Sequence, residues 1–246
     1  MLNIALVGIG KWGKNYYRIL CELHQKKIIN FKYISKNNYK KINSKIFSKN
    51  IVSLENLFKK KIDLIIISTP PQTHYEILKK SINHNIPVLV EKPLTLGLKQ
   101  AENIRDLIVK KKLIFFVNYQ YLVSPYFIKL KNIVNKKKIK SIYSEGHGIG
   151  PKRDYSVLWD WAPHDLSMIF NLLGMKENYV ICKVRKSFAK NNTSNWNIKM
   201  KIGKINIYIS IGNNYKIKSR KLVILEKSGK KYVFNDKNLP KNKLKK

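Results

Sequence analysis

"LNIALVGIGKWG", residues 2–13, decides how the rest of the chain is read. An apolar run from Leu2 to Val7 meets Gly8, and Gly8, Gly10 and Gly13 stand in the spacing G-x-G-x-x-G. Beyond them, Trp12 to His24 has the periodicity of a helix. Strand, glycine loop and helix in that order form the context in which this spacing binds a dinucleotide. The three glycines meet separate demands. Gly8 allows a tight turn, Gly10 lets backbone approach a pyrophosphate, and Gly13 lets the helix pack closely on the sheet, its N-terminus facing the anion. Lys11 and Trp12 lie in this loop and count among the expected cofactor contacts.

The alternation continues outward. "IINFKYIS", "DLIIIS", "PVLVE" and "LIFFVNY" read as further strands, with helices over Thr73 to His84 and Leu98 to Lys111. Strands that are continuous apolar runs separated by helices predict a doubly wound parallel sheet covered on both faces. This α/β fold, an NAD(P)-binding Rossmann domain, is expected over residues 1–118. Residues 119–246 change character: a basic helix around Tyr126 to Lys137, a strand from Ile139 to about Gly146, and a helix from about Trp161 to Leu173 stopped by Gly174. Alternating segments such as "KINIYISIG", "KLVILEK" and "KKYVFN" follow. They predict a smaller α+β domain with a mostly antiparallel sheet, for substrate and oligomer contacts, with a frayed tail from Asp236.

Composition narrows the function classes. The net charge of +36 over 246 residues invites a nucleic-acid reading. The cations, however, are overwhelmingly lysines spread along the whole chain with abundant Asn and Ile, and no helix-turn-helix, zinc-finger or RNA-recognition signature is present. No specific nucleic-acid partner is expected, only non-specific adhesion at low salt. No stretch approaches the roughly 20 apolar residues of a membrane span, and no signal-peptide pattern is seen, so the cytoplasm is the expected location. Cys21 and Cys182 lack metal-ligand spacing and read as buried free thiols.

The end of the second strand bears on the cofactor. An acid about 20 residues beyond the glycine loop would bind the adenosine ribose and repel a 2′-phosphate. The chain has "ISKNNYKK" there, with Ser35 and Lys36 at the strand end, so NADP is expected over NAD.

Acidic residues are scarce, 14 in all, yet Asp154, Asp160 and Asp165 cluster around "WDWAPHD", residues 159–165. The i, i+4 spacing puts Asp160 and His164 on one helix face, able to reach a common hydroxyl. His164 can exchange a proton near neutral pH. Asp160 could instead cap a helix that begins at Trp161, with Pro163 in its first turn. Asp165 is expected to orient neighbours or bind substrate, and Trp159 and Trp161 either stack on a sugar or pack. Lys92 follows the fourth strand, at the carboxyl edge where doubly wound sheets bind ligands. Pro93 restricts it to extended backbone, and a cis Lys92–Pro93 bond is possible. In so lysine-rich a chain, position alone does not separate Lys92 from a surface lysine.

The ordered set of glycine loop, "STPPQTHYE", "PVLVEKPL" and "WDWAPHD" resembles the Gfo/Idh/MocA family, oxidoreductases of the glucose-fructose oxidoreductase and inositol dehydrogenase type. "VNYQYLVSP" and "VLWDWAPHDLSMI" are most similar to the branch that oxidises the 3-position of nucleotide-linked amino sugars for surface polysaccharides. The resemblance implies that Lys92 sits between nicotinamide and substrate, with Asp160 and His164 the catalytic carboxylate and histidine. It further implies Thr69 and Pro70 under the cofactor with His74 in the same segment, Glu91 beside Lys92, and Tyr119, Trp161 and Asp165 toward the substrate. The implied function is NAD(P)-dependent hydride transfer with a sugar or nucleotide sugar in a homo-oligomer. A non-catalytic NAD(P)-binding sensor or scaffold is the alternative, since relative to that family the chain is short at its C-terminal end.

Overall fold

Burial of both faces explains why the first strands carry no polar alternation. In β1 (Asn3–Val7), Ile4 and Leu6 join one apolar layer and Ala5 and Val7 the other. The first layer adds Phe31, Ile34 and Ile66 and is covered by α1 (Gly13–Gln25) through Leu20. In the second, Ile65, Ile67, Val88 and Val90 pack under Ile77, Leu78 and Ile82 of α3 (His74–Asn83) and Ile104 of α4 (Leu98–Lys111). Each such side chain removed from water contributes roughly 1.5–3 kcal/mol.

The computed structural model describes residues 1–35, 51–149, 153–174, 181–188 and 194–236. The chain divides into two units, Met1–Asn118 and Tyr119–Lys246. In the first unit, β2 (Asn30–Ser35), β3 (Ile51–Val52), β4 (Leu64–Ile67), β5 (Val88–Glu91) and β6 (Phe115–Asn118) join β1 in a six-stranded sheet of order β3-β2-β1-β4-β5-β6. Every pairing is parallel. A single helical turn, α2 (Leu54–Leu57), lies between β3 and β4. The strand order reverses between β1 and β4, the switch point at which such sheets receive ligands.

The second unit buries one face of its sheet. β7 (Ile139–Ile149), β8 (Ile181–Phe188), β9 (Ser194–Ile202), β10 (Ile205–Gly212), β11 (Asn214–Glu226) and β12 (Lys231–Asn235) have the order β12-β11-β7-β10-β9-β8. Only β7 and β10 pair in parallel, so the sheet is mostly antiparallel. Ile142, Ile207, Ile209, Leu222 and Ile224 point into a core closed by α5 (Pro125–Ile133) and α6 (Val157–Leu173). Tyr143, Tyr208 and Val233 are exposed and adjoin one another in register with Val223, on the opposite face.

Several boundaries differ from expectation. The basic helix ends at Ile133 and resumes as a 3-10 turn over Lys136–Lys138, and β7 runs on to Ile149. β8 and most of β9 were not singled out in the sequence. α6 begins at Val157, capped by Ser156, whose Oγ accepts from the Leu158 amide at 3.2 Å. Pro163 is therefore inside the helix, where it cannot donate to the Trp159 carbonyl. Asp160 lies in the first turn, so the cap role considered for it is corrected. Gly174 ends the helix in the left-handed region, φ 65°, its amide bonded to the Phe170 carbonyl. Both cysteines are free, but neither is buried as expected: Cys21 is half-buried and Cys182 exposed. Of the expected tail, Asp236 accepts a hydrogen bond from the Tyr121 hydroxyl at 3.2 Å, and residues 237–246 lie outside the described residues. Among the described residues no helix is long and apolar enough to cross a membrane.

Candidate active site

The glycine loop leaves β1 at the switch point. Gly8 has φ +92°, and a Cβ there would lie 2.9 Å from the Ser68 carbonyl carbon and the Thr69 amide. At Gly13 a Cβ would fall 2.4 Å from the Gly8 carbonyl oxygen. Ser68 locks this close approach by donating to the Gly8 oxygen at 2.7 Å. Around a Cβ at Gly10, by contrast, there is nothing within 4 Å. Two glycines are thus required by the protein's own packing, while the third faces open space. No acid stands in the first turn of α1, and Lys11, Trp12 and Lys14 are exposed beside the loop. The residues present fit a dinucleotide pyrophosphate.

The segment after β4 is held from below. His74 is fully buried, with Nδ1 2.9 Å from the Pro93 oxygen and Nε2 2.9 Å from the Thr69 oxygen. It was expected at the cofactor; instead it ties the Thr69–Pro70 segment to the Lys92–Pro93 peptide, which is cis. Burial pushes its pKa down, against the pull of the two carbonyls. The Thr73 hydroxyl donates to Thr69 Oγ1 at 2.7 Å and reaches the Pro70 carbonyl at 2.8 Å. Thr69 and Pro70 keep accessible surface, so this segment can line a cofactor.

Glu91 also has a different task from the one expected. Its Oε1 accepts from the Tyr16 hydroxyl and from Asn118 Nδ2, each at 2.7 Å, and its Oε2 accepts from the Lys92 amide at 3.3 Å. α1, β5 and β6 are joined at one point, immediately before Lys92. Burial, then the Glu91 charge, drives the Tyr16 pKa far up, so this hydroxyl stays a donor. Ser35 is buried, its carbonyl taken by the Gly8 amide at 3.0 Å; its side chain is not an open cofactor contact. Lys36 lies outside the described residues.

In the second unit, α6 carries Asp160 and His164 as buried neighbours one turn apart. Asp160 Oδ2 lies 3.4 Å from Arg153 Nε. Burial first, and Asp160 second, pushes the nearby Tyr155 hydroxyl up to about 12. The His164 ring meets the Tyr121 ring edge to face, centroids 5.2 Å apart. Tyr119 is half-buried, and burial raises the pKa of its hydroxyl. Trp161 packs on Arg220 and over Gly148, where a Cβ would approach within 3.1 Å of its ring.

Asp165, expected to orient neighbours or bind substrate, is turned to its neighbours and away from substrate. It has no exposed surface, pairs with Arg220, and accepts from the Ser144 hydroxyl at 2.7 Å. The sequence reading missed Arg220, Tyr121, Ser144, Tyr16 and Asn118. A usable signal existed for the first: only five of the 50 basic residues are arginines. Among the described residues Arg18, Arg105, Arg153 and Arg220 each hold a carboxylate.

The fold and loop agree with known proteins. Residues 2–119 match the model for the oxidoreductase family with an NAD-binding Rossmann fold. Residues 2–119 thus carry the NAD-binding domain of the Gfo/Idh/MocA family. The chain is similar to the scyllo-inositol 2-dehydrogenase (NAD(+)) of Bacillus subtilis, with 29% identity over 46% of this chain and 36% of that one. Alignments to the curated relatives span between 21% and 45% of their lengths, so less than half of each is matched. A crystal structure of an oxidoreductase from Magnetospirillum magnetotacticum superposes with TM-score 0.84 and 26% identity, covering 96% of this chain and 78% of that one. A UDP-N-acetylglucosamine 3-dehydrogenase from Acidithiobacillus ferrooxidans shares the fold at TM-score 0.78 and 16% identity, over 95% of this chain and 80% of that one.

Proposed function

We propose that this protein is an NAD(P)-dependent oxidoreductase acting on a hydroxyl carbon of a sugar or nucleotide sugar. The observation that carries the reading is the glycine loop: Gly10 opens onto space at the switch point while Gly8 and Gly13 are held by Ser68 and Thr69. Bound there, the nicotinamide supplies a hydride acceptor or donor. Oxidation of a secondary alcohol also releases the hydroxyl proton, which needs a base. His164 takes that proton, Lys92 orients and polarises the reacting oxygen, and Asp160 fixes the substrate beside His164. The Tyr16–Glu91–Asn118 network sets the direction in which Lys92 leaves β5.

The similarity to an inositol dehydrogenase and to a UDP-N-acetylglucosamine 3-dehydrogenase supports a polyol or sugar substrate. Within that class the reading favours a nucleotide sugar of surface-polysaccharide synthesis, handled in the cytoplasm. The absence of an acid at Ser35–Lys36 favours NADP over NAD. The test is a panel of free and nucleotide-linked sugars, followed by reduced-nicotinamide absorbance with each cofactor. Turnover on a member of the panel, lost in Lys92→Ala and His164→Ala proteins that still bind cofactor, is expected. Full turnover in both variants contradicts the assignment, and equal dissociation constants for the two cofactors contradict the NADP preference.

A further inference from the structure

We propose that Arg220 is a positioning residue for His164, acting through Asp165 and Tyr121. The proposal rests on the reading of His164 as the acid/base. Arg220 comes from β11, on the strand that pairs with β7, and stands opposite Gly146 in register. That glycine is why the guanidinium can reach α6. A Cβ at 146 would lie 2.6 Å from Arg220 Nη1 and 3.0 Å from Asp165 Oδ2. The guanidinium then meets three groups at once. It pairs with Asp165, the residue after His164, and lies 5.4 Å from the ring of Trp161 and 5.5 Å from that of Tyr121. The Tyr121 ring in turn faces the His164 ring, and its hydroxyl is fixed on Asp236.

A guanidinium is suited to this place because it is planar, permanently charged and stacks on aromatic faces, whereas an ammonium offers no plane. In a chain whose other cations are almost all lysines, that distinction matters. At 4% exposure Arg220 does not itself meet solvent-borne substrate. Nor is stability a sufficient reason for it, since a buried ion pair is often replaceable by apolar residues without loss. Asp165 and Trp161 lie on α6 on either side of His164, and Tyr121 packs on the His164 ring. Among the described residues, the charged and titratable groups around this cluster include Asp160 with Arg153, Asp165, Tyr121, Asp236, and Glu145 and His147 on β7.

The test is a proton-NMR titration of the histidine rings in cofactor-free protein. Arg220→Met leaves the Asp165 carboxylate uncompensated and is expected to raise the His164 midpoint. Asp165→Asn leaves the guanidinium uncompensated and is expected to lower it, each by on the order of one pH unit. The double variant returns close to wild type, while His24 and His84, in the first unit, do not move. If Arg220→Met does not fold, the downward shift in Asp165→Asn carries the same claim. Coincident His164 midpoints in all variants, accompanied only by changed melting temperatures, would overturn it. Shifts of opposite sign in a protein that turns over no sugar would uphold the positioning of His164 and sink the dehydrogenase reading instead.

Discussion

At the scale of single residues, the glycine loop separates packing from binding. Gly13→Ala forces a methyl to within 2.4 Å of the Gly8 oxygen, a backbone atom that cannot swing aside. It should destabilise the first unit by about 1–3 kcal/mol, read by chemical denaturation. Gly10→Ala meets nothing within 4 Å and should leave stability unchanged while weakening dinucleotide binding at least tenfold, read by cofactor fluorescence. His74 supplies a pH test. Burial, the larger influence, depresses its pKa in the folded protein, and the unfolded ring returns to about 6.5. The unfolded chain therefore binds a proton that the folded one refuses, so stability present above about pH 6.5 is lost as the pH falls below it. The melting temperature should drop between pH 7.5 and 5.5, and the drop should be shallower in His74→Gln. His147, also depressed chiefly by burial, adds in the same direction.

At the scale of elements, α6 shows most clearly where sequence reading succeeds and where it stops. Gly174 was legible as its end because a left-handed residue there favours glycine; Gly174→Ala should cost about 1 kcal/mol in thermal unfolding. The start was misread because proline is tolerated in a first turn, which made Pro163 look like an entry signal. Ser156, seven residues earlier, is the actual cap. β1 and its glycine loop were readable because strand, turn and helix are contiguous and each glycine answers a local demand. β8 was not, since "ICKVRKSF" mixes cations with its apolar residues. The Arg220–Asp165 pair was hidden for another reason: its partners are 55 positions apart, and only the pairing of β11 with β7 brings them together. Glu91 and His74 were flagged by motif as cofactor contacts, yet both act on the backbone that presents Lys92. Motif spacing records that a residue sits at the site without saying which way its side chain turns.

At the scale of the whole molecule, charge and surface set the behaviour expected in solution. A net charge of +36 predicts adhesion to DNA at low ionic strength that disappears near physiological salt without sequence preference, checked by a salt series of gel shifts. In the second unit, Tyr143 and Tyr208 stack at 5.0 Å on the sheet face away from α6, beside the exposed Val233. We propose that this face joins two copies of the chain, so light scattering should return at least a dimer mass, and a monomer at micromolar concentration would count against it.

Lys92 and His164 are proposed to serve one chemical event. The direct measurement is a double-mutant cycle in kcat on the sugar that the panel identifies, using Lys92→Ala, His164→Ala and the double variant. Groups acting on the same reacting hydroxyl should each lose roughly 10²–10⁴-fold alone, and the pair together should lose little more than the worse single variant. Losses that multiply, or turnover that survives either substitution, would contradict it.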